Sequence, residues 1–278
     1  MPYPVRFVHD MDPTIESEFW WKNIALTILH AGSLYGIVAL SSSKWPVYVT
    51  RSNIRWVPTT NTTQSCSDTP CQIEVEHVRM GMWHVETLVV LFHLPAVLSH
   101  LYAATWSRTY IRRLHEGRVP HRWLEYSVSA SIMMVAILLL TGITSIWTLL
   151  LAFTACAATQ AMGYAGEREP QSWLFFAIGS FLMIPLWVLV YYNFYDSLAN
   201  ASSTPPTFVY YIIWSLFILF MGFAVVNALQ RTGYFTQYSA ERWYMLLSLT
   251  AKSALAWQIF FGALSREKND IAAWDPGL

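Results

Sequence analysis

Residues 243–264 read WYMLLSLTAKSALAWQIFFGAL, an apolar run of 22 residues with a single charge, Lys252, near its middle. The run matches the roughly 20 residues that an α-helix needs to cross the hydrocarbon core of a bilayer. A charge at that depth costs at least about 2.5–3.5 kcal/mol on insertion scales, so such a side chain faces the bundle interior and pairs there. At 1.5 Å per residue, Lys252 lies about 15 Å beyond Arg242, which marks the start of the run, so snorkelling to the interface does not rescue it.

The rest of the chain has the same character. Of its 278 residues 55% are hydrophobic and only 12% charged, against about 25% charged in an ordinary soluble domain. Six further apolar runs fall near 19–40, 79–104, 122–141, 144–162, 172–195 and 207–229. They lack the charged stripe of an amphipathic surface helix, which disfavours a large soluble helical core. The expected fold is an all-α membrane protein, a bundle of seven transmembrane helices in one domain over 1–278. A formal net charge of zero gives no support to nucleic-acid binding.

Basic residues orient the bundle. Arg108, Arg112, Arg113, Arg118 and Arg122 cluster after the second run, and short loops rich in Lys and Arg stay cytoplasmic. With seven spans this puts the N-terminus inside and the C-terminus outside. Ten basic residues then fall inside and six outside, Lys252 apart. Residues 1–18 are expected as a cytoplasmic segment and 265–278 as an extracellular tail. The leader MPYPVRFVHDMDPTIESEF has no basic start and is not expected to be a secretory signal. The long loop 41–78 would be extracellular. Its WPVYVTRSNIRWVP alternates as a hairpin strand does, although an irregular loop is the alternative. Cys66 and Cys71 could form a disulfide there, and two thiols alone fall short of a structural zinc site. Asn61 and Asn200 begin Asn-x-Ser/Thr sequons on the same side.

Few ionisable groups accompany Lys252 inside the runs: Glu86, Glu125, Asp196, His30, His84, His93 and His100. Three roles compete for the lysine. It could form a structural ion pair, lie on an ion or substrate path, or form a Schiff base with a carbonyl cofactor. Glu125 could supply the anion that a buried cation needs, or pair with Arg122 three residues away. Ser248 precedes Lys252 by one turn on the same face. Trp214 and Phe217 could wall a flat ligand, pack in the core, or sit in an interfacial belt. Asp196 reads more simply as a cap at the outer end of the fifth span.

RWLEYSVSASIMM at 122–134 and SLTAKSALAW at 248–257 resemble the heliorhodopsins, a family of microbial-type rhodopsins. The resemblance runs from His30 to the end of the seventh span. It implies all-trans retinal on Lys252 as a protonated Schiff base, with Glu125 as counterion and Ser248 beside it. Tyr126, Ser129, Met133, Trp214 and Phe217 are the further cofactor-binding residues it suggests. It also implies two histidines near the Schiff base, His30 and His100, with His93 as the alternative to His100. The N-terminus inside, a small cap between helices one and two, and a homodimer in the cell membrane follow from the same resemblance.

The implied function is a light-sensing photoreceptor, signalling or regulatory, not an enzyme and not a pump. An unidentified cytoplasmic signalling partner could dock on the arginine-rich loop. The alternative is a light-gated proton channel or another light-driven ion transporter, kept open by Glu86, His93 and Asp196.

Overall fold

The computed structural model describes residues 13–41, 44–59, 66, 70–200 and 205–265. Residues 1–12 of the expected N-terminal segment, Asn61, and the tail beyond Ser265 lie outside the described residues. Eight α-helices are present among those described: α1 (Pro13–Leu40), α2 (Val85–Thr105), α3 (Ser107–His115), α4 (Pro120–Leu140), α5 (Ile146–Arg168), α6 (Leu174–Asn200), α7 (Thr207–Arg231) and α8 (Gln237–Ile259). A π-helical turn, Phe260–Leu264, continues α8. All but α3 are long and apolar enough to cross a membrane, so the seven-span bundle stands.

Local chemistry sets the helix ends. Proline opens α1 and α4, where its missing N–H costs nothing. Thr236 caps α8, its hydroxyl accepting from the Ser239 amide at 3.2 Å. Gly233, at φ +77°, reverses the chain between α7 and α8 in a conformation other residues resist.

Several boundaries differ from those expected. Helix α1 begins at Pro13, so the last six residues of the anticipated tail are helical. The second span begins at Val85, not 79, because Arg79–His84 complete a strand. That hairpin pairs β1 (Pro46–Pro58) with β2 (Cys71–His84) antiparallel, from Pro46 opposite His84 to Pro58 opposite Cys71. Met80, Met82 and Trp83 prolonged the hydropathy run, but hydropathy alone does not separate an extended apolar stretch from a helical one. The Cys66–Cys71 disulfide is formed at the hairpin's far end. At the near end the Thr50 amide donates to the Thr144 carbonyl at 2.9 Å, and the two threonine hydroxyls meet at 3.1 Å. The hairpin is thereby fastened to the turn between α4 and α5.

The arginine-rich loop contains an element that hydropathy missed. Helix α3 is short and amphipathic, burying Tyr110, Ile111 and Leu114 while its arginines lie on the polar side. These three pack with Phe19, Leu26 and Met245 in a small apolar cluster at that end of the bundle. Helix α4 is the most enclosed span, with Met133–Leu139 all buried in the main core. That core closes the half of the bundle nearer the hairpin. The polar side chains concentrate in the half nearer α3.

Candidate functional site

Helix α8 buries Lys252 at 3% exposure. Its side chain leans back toward the helix start, as helical side chains do, and Nζ donates to Ser248 Oγ at 2.7 Å. Glu125 of α4 brings its Oε1 to 3.2 Å from the same nitrogen, also buried. The Tyr126 ring lies 5.3 Å from Nζ, and its hydroxyl donates to the Tyr244 carbonyl at 3.0 Å. Lysine, acid, serine and tyrosine thus form one cluster between α4 and α8.

A cavity of about 220 Å³ adjoins the cluster. Lys252, Ser248 and Ala251 line it from α8, and Tyr126, Ala130 and Met133 from α4. Apolar walls come from Met183 of α6 and from Phe220 and Phe223 of α7. Trp187 packs edge-on against Phe220 and Phe217, at 5.6 and 5.2 Å between ring centres. A lysine nitrogen with one acid beside it, opening on an apolar slot, fits a long unsaturated aldehyde that condenses with amines.

On the other flank of Lys252 three histidines converge from α1 and α2. His30 stacks on His100 at 5.6 Å between ring centres and meets His93 edge-on at 5.7 Å. His30 and His93 are fully buried, and neither ring nitrogen of His30 has a hydrogen-bond partner among the described residues. His100 Nδ1 lies 2.8 Å from Asn23 Oδ1, and His93 Nδ1 lies 3.1 Å from the Val89 carbonyl. All three lie in the electrostatic field of Lys252.

The polar chain continues toward α3. The Asn23 amide donates to the Phe19 carbonyl at 2.8 Å, and the Tyr110 phenol in the same region donates to Glu241 Oε1 at 2.9 Å. Burial holds that phenol well above its ordinary pKa, so it stays a donor. Arg122 sits between Glu241 and Glu167, ion-paired with both, and stacks 4.3 Å from the Tyr244 ring. The expected alternative for Glu125, a lip pair with Arg122, is therefore not what forms: Arg122 is taken by acids of α5 and α8, and Glu125 by Lys252.

Of the expected ligand residues, Lys252, Ser248, Tyr126 and Met133 line the cavity; Glu125, Ser129 and the three histidines lie outside the lining, and the two aromatic residues expected as walls stand apart from it. Trp214 is 49% exposed and packs on Tyr191 at 5.2 Å between ring centres. Phe217 packs edge-on against Trp187, and neither ring lines the cavity. Ser129 is buried one turn beyond Glu125, its hydroxyl without a partner among the described residues. Glu86 accepts from the Trp45 amide at 3.3 Å beside His84, at the hairpin end. Asp196 is exposed in the last turns of α6 and accepts from Asn200, as a helix-end residue does. Sequence reasoning missed Glu167, Glu241, Asn23 and Tyr110. Glu241 fell one residue outside its span as drawn and Glu167 five residues outside, and the glycines beside Glu167 were the available signal. Gly163 leaves the space that the Trp123 ring fills, and Gly166 the space that the Arg231 guanidinium fills.

Comparison with known proteins gives a family and a fold. The family model described as Heliorhodopsin matches residues 19–264. No curated protein matches the chain. The light-driven proton pump LR (Mac) from Leptosphaeria maculans superposes with a TM-score of 0.62 at 14% identity, covering 91% of this chain and 97% of that one. The transmembrane domain of the Salpingoeca rosetta rhodopsin phosphodiesterase gives 0.63 at 14% identity, over 90% and 86%. A cyanorhodopsin from the cyanobacterium Tolypothrix sp. gives 0.59 at 14% identity, over 92% and 98%. At such identities these structures establish the rhodopsin fold alone.

Proposed function

The chain belongs to the heliorhodopsin family, a multi-pass membrane family whose fold implies a retinal chromophore, and on that premise we propose that it is a light-sensing photoreceptor with retinal joined covalently to Lys252. The observation that carries the reading is the buried Lys252–Glu125 pair at the edge of an apolar cavity. When bound, retinal supplies a light-driven change of shape, from all-trans to 13-cis. The chain supplies the rest.

Glu125 holds the positive charge on the Lys252 nitrogen, which would otherwise lose its proton in so dry a site. Ser248 orients that nitrogen, and Tyr126 ties the floor of the site to the α8 backbone. Met133, Met183, Phe220 and Phe223 exclude water and shape the slot. A proton leaving Lys252 Nζ has an open acceptor in His30, whose ring nitrogens are unengaged among the described residues. His100 and Asn23 extend that route toward α3.

A sensory output is supported by the one-sidedness of this polar chain. Beyond His93, Ser129 and Ser131, the hairpin half is filled by Phe92, Met134, Ile137, Leu138, Leu255 and Ile259. No acid is buried there among the described residues, so a proton has a store but no exit on the far side. The arginine-rich end is cytoplasmic in this reading, by the excess of basic residues there. The protein works as a homodimer in the cell membrane and signals to a cytoplasmic partner, without enzymatic activity of its own. A light-gated proton channel is the second reading, favoured by the series of buried polar groups between His30 and Glu241.

Two measurements test this. Retinal added to the purified protein gives a visible band, and Lys252→Ala abolishes it; a band that survives overturns the attachment. Light-induced current is then recorded under voltage clamp across a proton gradient. Silence with an intact band supports the sensor. A current that reverses with the gradient makes the protein a channel, and one that persists against it a pump.

A further inference from the structure

The cavity beside Lys252 has a second polar end, formed by Arg231 and Asn227 of α7. Arg231 lies 11 residues beyond Phe220, about 16 Å along the helix toward the α3 end. Its guanidinium is half-buried against Gly166, in space that only a glycine leaves open. Nε donates to Asn227 Oδ1 at 2.8 Å and Nη1 to the Ser172 carbonyl at 2.7 Å. Both partners are neutral. No carboxylate lies within ion-pair distance among the described residues, since the neighbouring Glu167 is engaged by Arg122 and by the Val119 amide. A basic residue in a helix's last turn is ordinarily an orientation signal exposed to headgroups. That role explains the charge. It does not explain why the guanidinium is folded inward as part of a cavity wall.

We propose that this end of the cavity binds an anionic membrane phospholipid, its phosphate on Arg231 and one acyl chain in the cleft lined by α5, α6 and α7. Charge complementarity selects the headgroup: a planar guanidinium with neutral partners retains its full charge and matches phosphate geometry. The walls select the chain. Phe175, Phe176 and Ile184 of α6 line the cleft, and Ile184 and the neighbouring Phe181 are largely exposed on the face a bilayer would cover. An acyl chain can therefore enter sideways while its headgroup stays at the depth of the α7 terminus. The site is separate from the Lys252 attachment chemistry, although both share one cavity.

The full-length protein, purified in detergent, is titrated by native mass spectrometry with phosphatidylglycerol and phosphatidylcholine of identical acyl chains. The expected result is retention of phosphatidylglycerol roughly tenfold or more above phosphatidylcholine, the scale of one charge-assisted hydrogen bond. Arg231→Gln removes that preference and Arg231→Lys keeps most of it. The Arg108→Gln/Arg112→Gln double variant keeps it too, which separates this site from the basic helix α3. Equal retention of both lipids, or a preference unchanged in Arg231→Gln, overturns the proposal. Arg231-dependent capture of oleate in place of phosphatidylglycerol also overturns it, assigning the site to a free carboxylate. If Arg231→Gln does not elute as a single species, Ala224→Leu narrows the cleft and leaves the charge in place; it lowers phosphatidylglycerol retention, and unchanged retention counts against the site. Lys252→Ala keeps the lipid preference, so failure of the retinal reading and failure of this one are told apart.

Discussion

Arg122 and Glu125 stand three residues apart on α4 and hold opposite charges of the same neighbour, Glu241 and Lys252 of α8. Tyr126 adds a third tie, to the Tyr244 backbone. The two helices are clasped by a charge pattern that only one axial register satisfies. A shift of α8 by one turn would set Arg122 free of its acid and carry Lys252 away from Glu125 together.

Replacing Glu125 by Gln tests the first of these contacts. The uncompensated cation holds its proton less firmly, so the linkage deprotonates at lower pH than in the wild type. What remains protonated absorbs at longer wavelength, because the anion no longer localises the charge near the nitrogen. A pH titration followed by visible spectroscopy reads both effects. An unchanged midpoint and band would remove Glu125 from the counterion role.

Ser248→Ala removes the only hydrogen bond from Nζ to a hydroxyl among the described residues. The pigment forms, since attachment does not need the serine. Losing a hydrogen bond to a charged group costs about 1.5–3 kcal/mol. The expected signature is a small spectral shift with a lower thermal bleaching temperature, and a bleaching curve superposable on the wild type's would sink it.

At Arg122 the expected effect is on folding. Arg122→Gln leaves Glu167 and Glu241 buried beside each other without a cation, a change that costs about 3–5 kcal/mol when one partner of a buried pair is removed. Thermal unfolding of the apoprotein monitored by circular dichroism should show a drop of many degrees. Neutralising both acids as well, in Arg122→Gln/Glu167→Gln/Glu241→Gln, should recover much of it. A single variant as stable as the wild type would mean that the cluster is solvated.

Gly163→Ala places a methyl group where the Trp123 ring lies. The indole is held by Tyr126, Tyr244 and the Arg122 guanidinium, so it has little room to give. Overpacking of this kind typically costs about 1–3 kcal/mol. Trp123 also lines the cavity, so retinal uptake should slow in the same variant. Normal uptake kinetics would show that the ring moves freely.

The seven spans were legible because membrane depth allows few charges, and Lys252 stood out against that background. Glu125 and Ser248 could be paired with it because motif and helical spacing agree. The Arg122–Glu167–Glu241 cluster beyond the site was not legible. Glu241 and Glu167 lie at the ends of apolar runs, where acids are commonplace, and only tertiary structure turns them inward. Helix α3 was hidden for a related reason: it is amphipathic over nine residues, too short and too charged for a hydropathy window. The last six residues of the hairpin's second strand were mistaken for helix because Met80, Met82 and Trp83 are apolar wherever they sit. Trp214 shows the converse limit, since an aromatic side chain on a helix faces a slot or a lipid with the same sequence signature.

The bond between Thr50 and Thr144 bears on how motion should be measured. It braces the turn after α4 against the hairpin, while Asn193 of α6 grips the Thr141 carbonyl alongside. Arg122 pins the other end of the same helix. Held at both ends, α4 is the expected fixed reference against which any light-driven displacement of the other helices is read. A pair of distance probes anchored on α4 would report that displacement directly, whereas probes placed on two moving helices would let it cancel.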